Sequence, residues 1–353
     1  MNSVAATPSN DEVYINITKE ELVHWNIYTG ARGLGKTYSV LKNVSPRYFN
    51  SEKQFIFLRD NEKVIKKLAA GNSLYRDIET DNPDFPHIDL IHKDDNYMFV
   101  INKGQDDERV IGYLMALSTF SNARGINYSN VDCIIFDEFI PEEGKRSTLK
   151  DPGTVFLNMY ETVNRNREIE TKEHAAEDPV QLILLSNSND IYSSILESLG
   201  LSYIIENMIQ NGENYYNNGE VRIEFMGNEV FYEKKKQTML YRYANNQKFT
   251  NMALENKFNN SMALIRPKMD LKGCKGILNL DNKYVLVQLA NGSLYWKTGT
   301  FKKIQNYDMN NDQEAMLFRY AFSDRFRRYY IVGKMYFDSI YTQRSILNYA
   351  KIN

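Results

Sequence analysis

The chain has almost no cysteine. Its two, Cys133 and Cys274, lie far apart with no C-x-x-C spacing, which excludes a disulfide framework and a zinc knuckle and points to a reducing compartment. Cys133 sits inside an apolar run and reads as a small buried hydrophobe. No apolar stretch reaches the ~18 residues of a membrane span, so no membrane partner is expected. The polar opening, residues 1–12, has no apolar core of a secretory signal. Internal repeats and low-complexity tracts are missing. So is a convincing guanine-reading N-K-x-D segment; Asn187-Ser188-Asn189-Asp190 imitates it poorly. Net charge is also small, −2 over 353 residues, but the balance hides an asymmetry. Residues 229–353 carry 21 Lys/Arg against 10 Asp/Glu, whereas residues 1–228 carry 22 against 35. A basic C-terminal part suits a polyanionic partner.

What the chain does have is a phosphate-binding loop. Gly30-Ala31-Arg32-Gly33-Leu34-Gly35-Lys36-Thr37 fills G-x-x-x-x-G-K-[ST]. Glycines let backbone N–H groups turn inward around phosphate oxygens. Lys36 would reach the β- and γ-phosphates, and the Thr37 hydroxyl would hold Mg²⁺. His24–Tyr28 reads as a strand entering the loop and Lys36–Leu41 as the helix leaving it, whose N-terminal dipole favours an anion.

A second signal lies about a hundred residues on. Val131–Phe136 is a continuous apolar run closed by Asp137 and Glu138. That pattern fits a central parallel strand buried on both faces. Ligand groups in such sheets sit at the carboxyl ends of the strands. Asp137 is therefore expected opposite Thr37 as the second metal-site acid, with Glu138 placed to orient or deprotonate the attacking water.

Other strands are expected at 54–59, 180–185 and 221–225, and a hairpin at 97–103 and 109–117. Asp60 could cap a helix to about Ala70. Residues 71–95 read as loop, 153–167 and 192–210 as helices. Arg165 and Arg167 close the first of these helices. They could satisfy its terminal carbonyls or, for Arg165, act as an arginine finger in a neighbouring subunit. Ser186-Asn187 ends a strand where a polar side chain could sense the γ-phosphate. The expected layout is a P-loop α/β domain over 1–228, a helical linker over 229–262, and a small α+β unit over 263–353. In that last unit, strands are expected at 276–280, 284–289, 293–296 and 329–336, and helices at 314–327 and 339–349. Asn291-Gly292 gives a tight hairpin turn. Arg325, Arg327 and Arg328 with Tyr329 and Tyr330 form a basic, aromatic-interleaved patch of the sort that binds nucleic acid.

These motifs together resemble the DNA-encapsidation (genome-packaging) ATPases of small podoviruses of the phi-twenty-nine type. The matching positions are the loop 30–38, Gln54-Phe55-Ile56 with Arg59, Phe136-Asp137-Glu138-Phe139-Ile140, Asn164-Arg165-Asn166-Arg167-Glu168 and Leu185-Ser186-Asn187. The resemblance implies an ASCE-type P-loop ATPase with a mostly parallel sheet, using ATP and Mg²⁺. It implies a C-terminal, degenerate RNase-H-like domain without cleavage activity. It further implies a homopentameric ring in the host cytoplasm, transiently attached to the portal vertex of a prohead. That ring would drive double-stranded phage DNA with the help of a prohead RNA. Carried over by position, Glu138 is catalytic, Arg165 is a trans-acting finger, Arg124 is a further basic residue at the subunit boundary, and Arg32 is a γ-phosphate sensor. The rivals are a P-loop kinase or GTPase, and a nucleotide-switched assembly module that docks RNA or capsid protein without motor activity.

Overall fold

The computed structural model describes residues 14–71, 74–93, 96–123, 128–140, 149, 151–172, 175–187, 193–243 and 264–352. The chain divides into two compact units, Met1–Lys257 and Phe258–Asn353.

The large unit is built on nine strands: β1 (Trp25–Gly30), β2 (Gln54–Arg59), β3 (Ile88–Lys93), β4 (Asn96–Ile101), β5 (Arg109–Ala116), β6 (Val131–Asp137), β7 (Gln181–Ser186), β8 (Tyr215–Asn217) and β9 (Val221–Met226). Among the described residues they form one sheet in the order β3-β4-β5-β2-β6-β7-β1-β9-β8. From β5 to β9 every neighbour is parallel; β3, β4 and β8 add antiparallel edges. β7 lies between β1 and β6, the extra central strand that an ASCE-type sheet requires.

The central strands are apolar on both faces because helices cover both. On one side, α1 (Lys36–Val44), α2 (Glu62–Gly71) and α3 (Arg76–Asp81) close a core that includes Tyr28, Val40, Leu41, Phe55, Ile78 and Ile135. On the other, α4 (Pro152–Asn164) buries Phe156, Met159 and Val163, and Phe136 stacks on Phe156 with ring centroids 5.8 Å apart. Asp151 caps α4 by accepting from Thr154 N–H, and Pro152 fills its first turn, where a missing N–H costs nothing. Cys133 is fully buried in the same sheet, and burial pushes its thiol up to about 12.

Several elements differ from the sequence reading. Residues 71–95, expected as loop, contain α3 and the edge strand β3. Asn61, not Asp60, caps α2, its Oδ1 accepting from Val64 N–H at 3.2 Å. The helix expected over 192–210 is two, α5 (Ser194–Ser198) and α6 (Ser202–Asn211), separated by Gly200 in the left-handed region. Residues 229–236, expected to open a linker, form α7 (Glu229–Lys236), which places Phe231 in the large unit's core.

The small unit is α+β. β10 (Lys275–Leu280), β11 (Tyr284–Gln288) and β12 (Leu294–Thr298) make an antiparallel meander. β13 (Asn306–Tyr307) lies parallel to β10 on one edge and β14 (Met335–Phe337) parallel to β12 on the other. Two helices, α8 (Asp312–Ile331) and α9 (Ile340–Tyr349), accompany the sheet, and Trp296 of β12 meets Phe326 of α8 edge-on at 5.6 Å. Residues 329–336, expected as one strand, are instead the end of α8, a turn and the short β14.

Candidate nucleotide site

The loop after β1 turns on two of its glycines. Gly33 and Gly35 both have φ of +87°, a left-handed conformation open to glycine at no steric cost. Gly35 is the N-cap of α1 and makes no side-chain cap bond, so the first N–H groups of the helix begin at the end of the loop. Lys36 is buried, and its Nζ donates to the carbonyls of Gly30 and Ala31, both at 2.9 Å. Burial holds its pKa down at about 8; Asp137 opposes that shift, Lys235 adds to it and Glu138 opposes it.

Asp137 closes β6 one strand beyond β7 and is buried. The Thr37 side chain lies near enough to its carboxylate to pull its pKa downward, so the two expected metal-site residues are neighbours. Burial raises its pKa, against the pull of the neighbouring Arg59 guanidinium. Glu138 follows with φ of +54°, an uncommon conformation outside glycine that turns the chain sharply at the strand end.

Arg59 is the residue whose role the sequence left unread. It ends β2, whose Leu58 pairs with Phe136. Its guanidinium meets Asp137 Oδ2 at 2.6 Å and Glu138 Oε2 at 3.2 Å, with the Arg59 side chain only 12% exposed. One cation thus fixes both acids. The sequence signal was an arginine closing an apolar strand; its meaning depended on β2 lying next to β6, which spacing does not reveal.

The remaining sequence-derived positions separate. Asn187 follows directly on Ser186, which pairs with Thr29, so it lies at the carboxyl edge beside the loop. Arg32 is exposed on the loop, and its carbonyl accepts from Lys235 Nζ of α7 at 2.6 Å. Arg165 is exposed just past α4 with φ of +50°. The adjacent Asn164 accepts from Val180 N–H at 2.8 Å, which ties that turn to the amino end of β7. A six-residue strand is about 17 Å long, so Arg165 stands at the opposite end of the sheet from its own Asp137. Arg124 lies outside the described residues.

The donor set fits a Mg²⁺-bound nucleoside triphosphate. The loop amides and Lys36 would take the phosphates, and Thr37 with Asp137 supplies hard oxygen ligands of the kind Mg²⁺ prefers.

Comparison with known proteins agrees with this geometry. The chain is 26% identical over 233 residues to the DNA packaging protein of Bacillus phage phi29, a match that covers 66% of this chain and 61% of that one. It is 27% identical over 238 residues to the DNA packaging protein of Bacillus phage B103, covering 67% and 64%. The matched chain therefore spans somewhat under two thirds of the length of these relatives. The solved Phi-28 gp11 DNA packaging motor shares the fold, with a TM-score of 0.59 at 18% identity over 94% of this chain and 95% of that one. Residues 14–335 match the family described as Podovirus DNA encapsidation protein (Gp16). The chain belongs to the podovirus DNA encapsidation protein family.

Proposed function

We propose that this protein is the ATP-driven motor that moves double-stranded DNA into a phage prohead. The observation that carries the reading is the single cluster of Lys36, Thr37, Asp137, Glu138 and Arg59. Binding alone needs the first three; an acid next to the metal ligand adds the means for hydrolysis. Bound Mg²⁺ supplies charge neutralisation on the β- and γ-phosphates. Lys36 and the loop amides bind and orient those phosphates. Glu138 orients the attacking water and takes its proton on the carboxylate. Arg59 holds Asp137 and Glu138 at fixed separation and pulls the Asp137 pKa down against its burial.

The motor acts as a homo-oligomeric ring, a pentamer by resemblance. The exposure of Arg165 far from its own site favours delivery into a neighbouring subunit over action within its own chain. The small unit grips nucleic acid, DNA or the prohead RNA. Arg327 and Arg328 are exposed on α8, while Arg325 lies over the Tyr329 ring at 5.6 Å. We read this unit as cutting no DNA. Three of its carboxylates are engaged as local caps: Asp281 accepts from Met309 N–H, Glu314 from Asp308 N–H and Asp338 Oδ2 from Thr298 N–H.

The test is steady-state ATP hydrolysis with and without DNA and proheads. Turnover should be DNA-stimulated, and Glu138→Gln should lower it at least about 100-fold while ATP binding persists. Arg165→Ala should bind ATP without turnover and regain activity when mixed with Lys36→Ala subunits. Wild-type turnover in Glu138→Gln would refute the assignment; ATP binding without any turnover in the wild type would favour the assembly module.

A further inference from the structure

Beside the phosphate loop lies a cavity that the hydrolytic cluster does not use. Tyr14, Asn16, Gly35, Tyr38, Asp77 and Asp81 line it, and its volume is about 650 Å³, within the usual range for small-molecule sites. The segment that brings Tyr14 and Asn16 there is fastened to the loop. Ile15 N–H donates to the Leu34 carbonyl at 3.1 Å, and Ile17 N–H donates to the buried Ser39 hydroxyl of α1 at 2.6 Å. Tyr14 consequently lies against Gly35, so close that a Cβ there would meet Tyr14 Cβ and Cδ1 at 3.5 Å. The ring also reaches Phe231 of α7, centroid to centroid 6.3 Å, yet stays 48% exposed. A half-exposed ring held in place by its neighbours is a platform on which a base can stack at little entropic cost.

Charge decides which end of a nucleotide this cavity suits. The acids Asp137 and Glu138 stand at the end of β6, whereas the cavity borders Gly35 and Tyr38 at the start of α1, so a nucleotide whose γ-phosphate faces those acids has its other end free for the cavity. Two carboxylates line it, Asp81 already accepting from the Tyr38 hydroxyl at 3.2 Å. Carboxylates repel a phosphate but accept from sugar hydroxyls. Lys42 lines the same cavity with its ammonium over the Tyr38 ring at 5.9 Å. Asn16 Oδ1 accepts from Asn43 Nδ2 at 3.0 Å, an arrangement in which the Asn16 amide retains N–H donors for a ring nitrogen.

We propose that this cavity is the nucleoside subsite: Tyr14 stacks on the purine, Asn16 donates to its edge, and Asp77 and Asp81 accept from the ribose hydroxyls. The assignment deepens the ATPase reading and rests on it. Calorimetric titration of the full chain with Mg·ATP and with Mg·tripolyphosphate, which lacks a nucleoside, separates the two. Tyr14→Ala should weaken ATP about tenfold or more and leave tripolyphosphate unchanged, and Tyr14→Phe should restore ATP binding to within about twofold of wild type. Equal losses for both ligands in Tyr14→Ala would mean that the ring only props the loop, and unchanged ATP binding would remove its role; either overturns the subsite. A wild type that binds both ligands equally well overturns the subsite alone, whereas one that binds neither overturns the phosphate site and the subsite together.

Discussion

Replacing Lys36 with methionine should stop nucleotide turnover and, at neutral pH, relieve the large unit of a buried charge. Burial lowers the Lys36 pKa from 10.5 to about 8. The folded chain therefore holds this cation at pH 7 at a cost of about 3 kcal/mol. A depressed pKa penalises the folded state most when both states are protonated, and the penalty fades as pH rises through the folded value toward the unfolded one. With these two values it falls to about 1.5 kcal/mol at pH 9.5. Methionine carries no such cost. It does forfeit the two hydrogen bonds to the Gly30 and Ala31 carbonyls, a loss of about 1–2 kcal/mol that does not depend on pH. The stability of Lys36→Met relative to wild type should thus decline by about 2 kcal/mol between pH 7 and pH 9.5, whatever the constant offset. Urea denaturation can read this from Trp25 emission in a Trp296→Phe background, because the chain has only those two tryptophans. A difference that stays constant across this range, or grows, would refute the claim that Lys36 is held charged against its environment.

Arg59→Ala should move the acid limb of the hydrolysis pH profile to higher pH, since the guanidinium that lowers the Asp137 pKa is gone; an unshifted limb would show that Arg59 does not govern Asp137. Arg59→Lys should recover part of the shift, because charge returns without the two-armed geometry. Asn164→Ala should cost about 1–3 kcal/mol in denaturant unfolding, since it removes the acceptor for the Val180 N–H and the donor to Glu168; a loss below about 0.5 kcal/mol would show that water replaces it freely. Phe231→Ala should loosen α7 from the phosphate loop and weaken ATP binding without touching a phosphate ligand, because Phe231 packs in that core and Lys235 on the same helix holds the Arg32 carbonyl; calorimetry showing wild-type affinity would argue against that coupling.

The parts of the site legible in the sequence were those whose chemistry is local. A glycine loop ending in Lys36-Thr37, and an apolar run ending in Asp137-Glu138, each state their geometry within eight residues. Arg59 and Tyr14 gave no such signal, because their roles depend on strand order and on where the segment before β1 lies. The fold shows the same division. Buried central strands declared themselves as continuous apolar runs, whereas the edge strand β3, with His87, Asp89, His92 and Lys93 in and around it, looked like loop. Residues 329–331 carry strand-favouring tyrosines and isoleucine, but α8 runs through them. Phe318, Phe322 and Phe326 recur every four residues and pack on one another at 5.4–5.9 Å, so tertiary packing outweighs local preference there. The positive φ of Gly35 was foreseeable from the motif; that of Glu138 was not.

The most direct measurement is an experimental structure of the protein with Mg²⁺ and a non-hydrolysable ATP analogue. The account predicts one metal ion about 2.0–2.1 Å from Thr37 Oγ1, with Asp137 bound to it directly or through one water. A metal coordinated by other side chains, or Thr37 and Asp137 drawn too far apart to share it, would contradict the account.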